Sequence, residues 1–429
     1  MEPDAQSAFA RWRLMVIWLS GPGAGVCASR AAGRASREET KMTATRLRDR
    51  WTAALACGVL AVGVAACGSG DGGTEASTGS SGASASTAQT SDTNSLAAAN
   101  KTWTTGTPPA REQAFANADN SKKVNIAYFV AAAANPFWAQ TTAALQEVAG
   151  ARNATVKLFD GGFDAANQQR QMQDALTSGR YDAFVVIPVA NTNLIPIAAQ
   201  AKAKGIPVVA TGDFPLGPKF DTVEPQVPGV VGVAMTMPQA IVDALVEGVV
   251  QACEGVDPCE VAQISGGFKL PVEANIYNAL KDALAKTPNA KLVAREEGGY
   301  LVDPARTAMQ NILTAHPGVD VVSTTSDAMA TGAETAVKQA GKLDQVKING
   351  DAGSQEGIVA VRDGRWFMTA IQLPYDNGLY AGDLALRAAR KQPIADPSID
   401  TIDKSGIDIV GTEKTLAAIP DFAGQWKNG

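Results

Sequence analysis

The sequence predicts an α/β chain of two doubly wound, parallel-sheet lobes, and three observations carry that prediction. From residue 122 onward, short β-branched runs alternate with longer amphipathic stretches. The short runs are apolar throughout, as strands covered by helices on both sheet faces must be. The alternation also comes in two successive series, each long enough for one lobe.

The first series reads as strand 124–130 and helix 136–152, strand 155–160 and helix 164–178, strand 184–188 and helix 191–204, then strand 206–210. The second pairs strand 230–234 with helix 238–252, 261–265 with 271–286, 291–295 with 304–315, 319–323 with 327–340, 345–350 with 355–362, and 367–372 with 376–390. Parallel neighbours joined through helices imply right-handed crossovers. Helix starts are marked at Asn135-Pro136 and Asp303-Pro304, where a capping side chain precedes a proline at the first helical position.

Ahead of the lobes, Cys67 ends the run Val64-Ala65-Ala66-Cys67. A basic stretch (Arg46, Arg48, Arg50) and an apolar one, 51–66, precede it, and a Gly/Ser/Thr-rich segment follows. That order resembles a bacterial lipoprotein signal: positive head, hydrophobic middle, small residues at the cut, then a cysteine that takes lipid. The apolar run falls short of the ~20 residues a bilayer crossing needs. The other reading of Cys67 is a small apolar residue at the end of a span. On the signal reading, Met42 starts the chain, 42–66 is removed, and 1–41 is a gene-model extension. A real extension using the apolar patch 14–19 is the alternative. Residues 67–121 then form the lipidated cysteine and a flexible tether, with too few large apolar side chains to fold. Everything after Cys67 would work outside the cytoplasm, held to the cell membrane by lipid.

About 360 residues follow the signal, enough for two domains. The net charge is −6 and aromatic residues make up 6% of the chain, with no basic stripe, which argues against nucleic acid as a partner. Two of the five cysteines, Cys27 and Cys57, fall in the removed part. Cys253 and Cys259, separated by turn residues, are expected to form a disulfide closing a short surface loop, worth roughly 2 kcal/mol. A metal is not expected, because no further Cys or His is available to complete a site.

In open α/β sheets, ligands sit beyond the carboxyl ends of the strands. Those junctions carry Asn135, Phe137 and Trp138, then Asp213 and Phe214, and in the second lobe Glu273 with Asn275, Tyr300, Ser326 with Asp327, Asp351 and Gln372. Aromatic faces stack on the C–H face of a sugar or flat ring, while Asp, Asn and Gln bond neighbouring hydroxyls. A handful of such bonds could hold a small polar molecule at micromolar affinity, about 8 kcal/mol. Each residue also has a plainer reading. Asn135 and Asp303 could be helix caps alone, Trp138 and Tyr300 could fill the core, and Ser326 with Asp327 could be a cap and a first-turn acid. Asp351 follows a strand and precedes two small residues, a setting that exposes its carboxylate.

From about residue 122 to 411 the chain resembles the type I periplasmic sugar-binding proteins, the ribose and galactose cluster that feeds ATP-driven importers. The resemblance rests on Asn135-Pro136-Phe137-Trp138, Met309-Gln-Asn-Ile-Leu-Thr-Ala-His-Pro317, Ser326-Asp327-Ala-Met329, Gly350-Asp351 and Ile371-Gln372-Leu-Pro374, in that order and spacing. It implies a three-strand hinge with crossings near residues 235, 373 and 401. The N-terminal lobe would be 122–235 plus 374–401 and the C-terminal lobe 236–373 plus 402–429. It also implies that Asn135 bonds a hydroxyl, Phe137 and Trp138 stack on a ring, and Asp213 grips hydroxyls. In the second lobe Tyr300 would supply an aromatic, Asp351 the main carboxylate and Gln372 the hinge glutamine. Departures matter as much. Phe214 stands where ribose binders have an arginine, Ala274 beside Glu273 and Asn275 where they have another, and Ser326 where they have an asparagine. The pocket should therefore be more apolar and less cationic than a ribose site.

The function implied is that of a monomeric solute-binding lipoprotein without a cofactor. It would capture a sugar or sugar-like molecule between closing lobes and deliver it to an ABC permease and its ATPase. The same binding event could instead report to a chemoreceptor or kinase, and the apolar surface at Phe214 leaves room for a nucleoside, a deoxy sugar or an aromatic catabolite. Lactose-repressor-type regulators share the bilobed fold but need an N-terminal helix-turn-helix, where this chain has a tether. Against an enzyme, the single histidine, His316, sits in a helix-ending Ala-His-Pro, and the globular part has no Ser-x-x-Lys, nucleophile elbow or metal cluster.

Overall fold

The computed structural model describes residues 102–116 and 120–428. The expected start, signal and lipid site, Cys67 included, lie outside the described residues. In the first series, β1 (Val124–Val130), β2 (Ala154–Asp160), β3 (Ala183–Val186), β4 (Val208–Gly212) and β5 (Val230–Met235) are linked by α2 (Pro136–Ala151), α3 (Ala165–Ser178) and α4 (Ile195–Ala203), with α1 (Pro108–Phe115) ahead of them. The second holds α5 (Pro238–Ala252), β6 (Cys259–Ser265), α6 (Pro271–Leu284), β7 (Ala290–Glu297), α7 (Val302–Ala315), β8 (Val321–Thr324), α8 (Asp327–Gln339), β9 (Lys347–Ala352), α9 (Gln355–Arg362) and β10 (Met368–Ile371). Then come α10 (Pro374–Ala389), β11 (Ser398–Asp400), α11 (Thr401–Ser405), β12 (Val410–Thr412) and α12 (Glu413–Ala417).

The strands form two six-stranded sheets, ordered β11-β5-β4-β3-β1-β2 and β12-β10-β9-β8-β6-β7. Every pairing is parallel except β10 with β12. The two α/β lobes expected from the alternation are thus present. The chain passes between the sheets three times, after β5, between β10 and α10, and between β11 and β12.

Helix α10 belongs to the first lobe and is buried along most of its length. Two glycines allow it to lie close on α2: a Cβ at Gly378 would stand 2.4 Å from the Thr141 carbonyl oxygen, and one at Gly382 would stand 3.0 Å from Val148 Cβ. Its buried carboxylates are partnered. Asp383 accepts from Arg152 Nη1 at 2.6 Å and from Arg387 Nε at 2.8 Å. Asp376 accepts from Thr107 N at 2.9 Å, from the Thr107 hydroxyl, and from Gln425 Nε2 at 2.7 Å.

Several expectations need correction. The tether does not reach residue 121, because α1 packs against α10 with Ala110, Arg111 and Ala114 buried. That segment lacks large aliphatic residues; Ala110 and Ala114 seat it in the core, and Arg111 pairs with Glu147 at 2.9 Å. Asp303 does not cap: α7 starts one residue earlier at Val302, and Asp303 instead pairs with Arg306 at 3.1 Å. The tail does not belong to the C-terminal lobe alone, since Gln425 bonds α10 of the first lobe. Strands β11 and β12 escaped the sequence reading because three residues are too few to show a pattern. Cys253 and Cys259 are disulfide-bonded. Among the described residues, no helix is long and apolar enough to cross a membrane.

A candidate ligand site between the lobes

The first lobe brings its part of the site together at the carboxyl ends of β1 and β4. Asn135 caps α2, its Oδ1 accepting from Phe137 N at 2.9 Å and Trp138 N at 3.3 Å, so both rings project from the helix start. The Trp138 indole donates to Asp213 Oδ1 at 3.0 Å, and Phe214 meets the indole edge-on at 5.5 Å. A third ring, Phe163, comes from the loop after β2, where its φ is +57°. It lies 5.4 Å from Trp138 and stacks on Tyr300 of the second lobe at 6.0 Å, with planes 11° apart.

In the second lobe, Tyr300 packs against Gly266, where an added Cβ would stand 2.0 Å from the ring. Only glycine leaves that space. The Tyr300 hydroxyl donates to Glu273 Oε1 at 2.6 Å. Asp351, one residue before the end of β9, accepts from Gln372 Nε2 at 3.0 Å, while Gln372 Oε1 is buried without a partner. Ser326 caps α8, its Oγ accepting from Ala328 N at 3.2 Å.

These side chains line one small cavity of about 40 Å³, room for a few waters at the ~10–15 Å³ that each needs. Asn135, Phe137, Trp138, Asp213, Phe214, Tyr300, Ser326, Asp351 and Gln372 all reach its wall. Glu273 and Asn275 do not, and their expected ligand role needs correction. Glu273 is fully buried behind Tyr300, and its carboxylate is taken up by Ser265 Oγ at 2.7 Å, Gly266 N at 2.8 Å, Thr325 Oγ1 at 2.7 Å and Tyr300. It holds two wall residues in place. Asn275 faces Gln239, at 3.5 Å. Asp327 is buried as well, accepting from Ser354 N at 2.6 Å and Thr369 Oγ1 at 2.7 Å.

Sequence reasoning missed Pro136, Thr325, Ala328, Ala352 and Trp426 in the wall, and Phe163 beside it. Phe163 carried a usable signal, since Gly161-Gly162-Phe163 follows a strand end. Trp426 carried none, lying far from any strand in sequence.

Among the described residues, no Lys, Arg or His lines the cavity. Burial pushes the Asp213 carboxyl up to about 6, with the Trp138 hydrogen bond opposing and the Glu273 charge adding. Burial also holds Asp351 well above the usual carboxylate range; the Gln372 bond opposes this and the charges of Asp327, Asp213 and Glu273 add to it. Such a wall offers hydrogen-bond acceptors and apolar faces, and it disfavours anions.

Two α/β lobes crossed three times by the chain, with a polar and aromatic cavity between them, define a small-molecule receptor of the bilobed type. The chain matches the periplasmic binding protein domain over residues 126–393, and it belongs to that family. It is 25% identical over 274 residues to the ribose import binding protein RbsB of Bacillus subtilis, covering 64% of this chain and 83% of that one. It is 29% identical over 226 residues to the xylitol-binding protein of Mycolicibacterium smegmatis, covering 52% of this chain and 60% of that one. An ABC transporter solute binding protein from Bacillus halodurans, solved with myo-inositol, has the same fold, with a TM-score of 0.59, 19% identity, and coverage of 71% of this chain and 100% of that one.

Proposed function

We propose that this protein is the extracytoplasmic receptor of an ABC importer, closing its lobes on a neutral sugar or polyol and presenting it to the permease. The observation that carries this reading is the cavity wall: rings from both lobes beside Asp213, Asp351 and the unpartnered Gln372 Oε1, with no cation among the lining residues. Ring faces suit the C–H side of a polyol, and the acceptors suit its hydroxyls. An anionic sugar would enter beside two carboxyls without a counter-ion, at a cost of several kcal/mol. The ribose- and xylitol-binding relatives support the same ligand class.

Isothermal titration with D-ribose, D-allose, xylitol and myo-inositol, set against D-galacturonate and ribose 5-phosphate, tests this. At least one neutral compound should bind at micromolar affinity and neither anion should; the reverse order would refute the reading. The receptor is further proposed to be a monomer anchored through lipid on Cys67. Cys67→Ser should release it from the membrane fraction, and an unchanged membrane share would remove the anchor from this account.

A further inference from the structure

Trp426 is 2% exposed and comes from a C-terminal segment that neither sheet contains, yet its indole forms part of the cavity wall. Nε1 donates to the Ala352 carbonyl at 2.7 Å, in the residue next to Asp351. The ring meets Phe137 of the first lobe edge-on at 5.8 Å and 88°. It is thus held from both sides of the cleft.

The segment around it is built to keep it there. Gln425 Oε1 accepts from Tyr375 N at 2.9 Å at the start of α10, and its Nε2 donates to Asp376. On the other side, Gln355 N donates to the Trp426 carbonyl at 2.8 Å, and Asn428 Nδ2 donates to Thr331 Oγ1 at 2.8 Å. Gly424 lets the strap approach: its φ is +83°, and a Cβ there would stand 2.6 Å from the Gly353 carbonyl oxygen. Upstream, Phe422 meets Trp103 at 6.4 Å. A ring whose only task was to fill the core would not need fixing from both lobes in the wall of a cavity.

We propose that the C-terminal segment 422–428 is a working part of the ligand site, in which Trp426 contacts the ligand and favours ring-shaped sugars over open-chain polyols. This rests on the neutral-sugar reading above. An indole face gains most against the flat C–H face of a pyranose, and an open chain presents no such face. The strap bonds both lobes, so the ring sits where the two walls of the cleft meet.

The test is titration calorimetry of the full-length protein with D-allose and xylitol, comparing wild type with Trp426→Phe, Trp426→Leu and Trp426→Ala. Wild type should bind D-allose more tightly than xylitol. Trp426→Leu and Trp426→Ala should lose ten- to hundredfold in D-allose affinity and threefold or less for xylitol, while Trp426→Phe keeps most of the D-allose affinity. Trp426→Leu preserves bulk, so it reports even if the alanine variant does not fold. Equal losses for both probes, or none, would show a structural role only and overturn the assignment. Wild-type protein that prefers xylitol would do the same. Wild-type protein that takes neither probe would overturn this assignment, while the neutral-sugar reading would stand or fall on the four-compound titration above.

Discussion

Asp351 is the residue on which affinity should turn. It sits in the cavity wall, bonded to Gln372, with no cation among the described lining residues. Leaving one partner of a buried hydrogen bond unsatisfied costs about 1–3 kcal/mol. Asp351→Ala should therefore weaken ligand binding roughly ten- to hundredfold by calorimetry, and an unchanged titration would remove it from the site. Asp213 makes a second, pH-dependent statement. Burial pushes its carboxyl up to about 6, so a ligand hydroxyl donating to the ionised form should be held less well as pH falls through 6. Asp213→Asn should flatten that dependence; a slope that survives the substitution would assign it elsewhere. Glu273 shows the limit of reading single residues. Its place after β6 is visible in the sequence, but the direction of its side chain is not. The first turn of α6 aims it inward at Ser265 and Gly266, where it supports Tyr300.

At the scale of elements, the strand ends set the site by where they leave room. Tyr300 reaches the wall because β6 runs out at Gly266. Gly266→Ala should displace the ring and weaken ligand binding while the protein still folds, read by titration beside an unfolding curve. Unchanged affinity would mean that Tyr300 contributes little. The alternation of β-branched and amphipathic runs made the two parallel sheets legible, because burial on both faces leaves a continuous apolar run that hydropathy detects. The first-lobe half of the site was legible for a related reason: Asn135-Pro136 marks a helix start, which places Phe137 and Trp138 at a strand end. What stayed hidden depends on long-range contact. Helix α1 has no apolar stripe and is fixed by Arg111 with Glu147 and by Thr107 with Asp376. Trp426 acquires its meaning only when the tail returns to the cleft.

Across the whole molecule, the buried carboxyls tie stability to pH. Burial pushes Asp213 and Asp376 up to about 6 and Asp327 up to about 7, while in the unfolded chain aspartates ionise near pH 4. Between those values the native state holds protons that the unfolded chain has released. This contribution is full below about pH 4 and is lost as pH rises through 6 to 7. Urea unfolding of the ligand-free protein should therefore give a higher midpoint at pH 5 than at pH 8, and the opposite order would mean these groups are ionised in the native state. Lobe closure rests on the Phe163–Tyr300 stack and on the strap, both of which span the cleft. The central claim is that this cleft holds a neutral, hydroxyl-rich molecule. A thermal-shift screen of the purified protein at pH 7.5 tests it most directly, since ligand at a hundred times Kd adds about 2.7 kcal/mol to stability. A rise in unfolding temperature with one or more neutral sugars or polyols, and none with sugar acids, amino acids or metal ions, is the predicted result. A rise with amino acids or metal ions alone would contradict it.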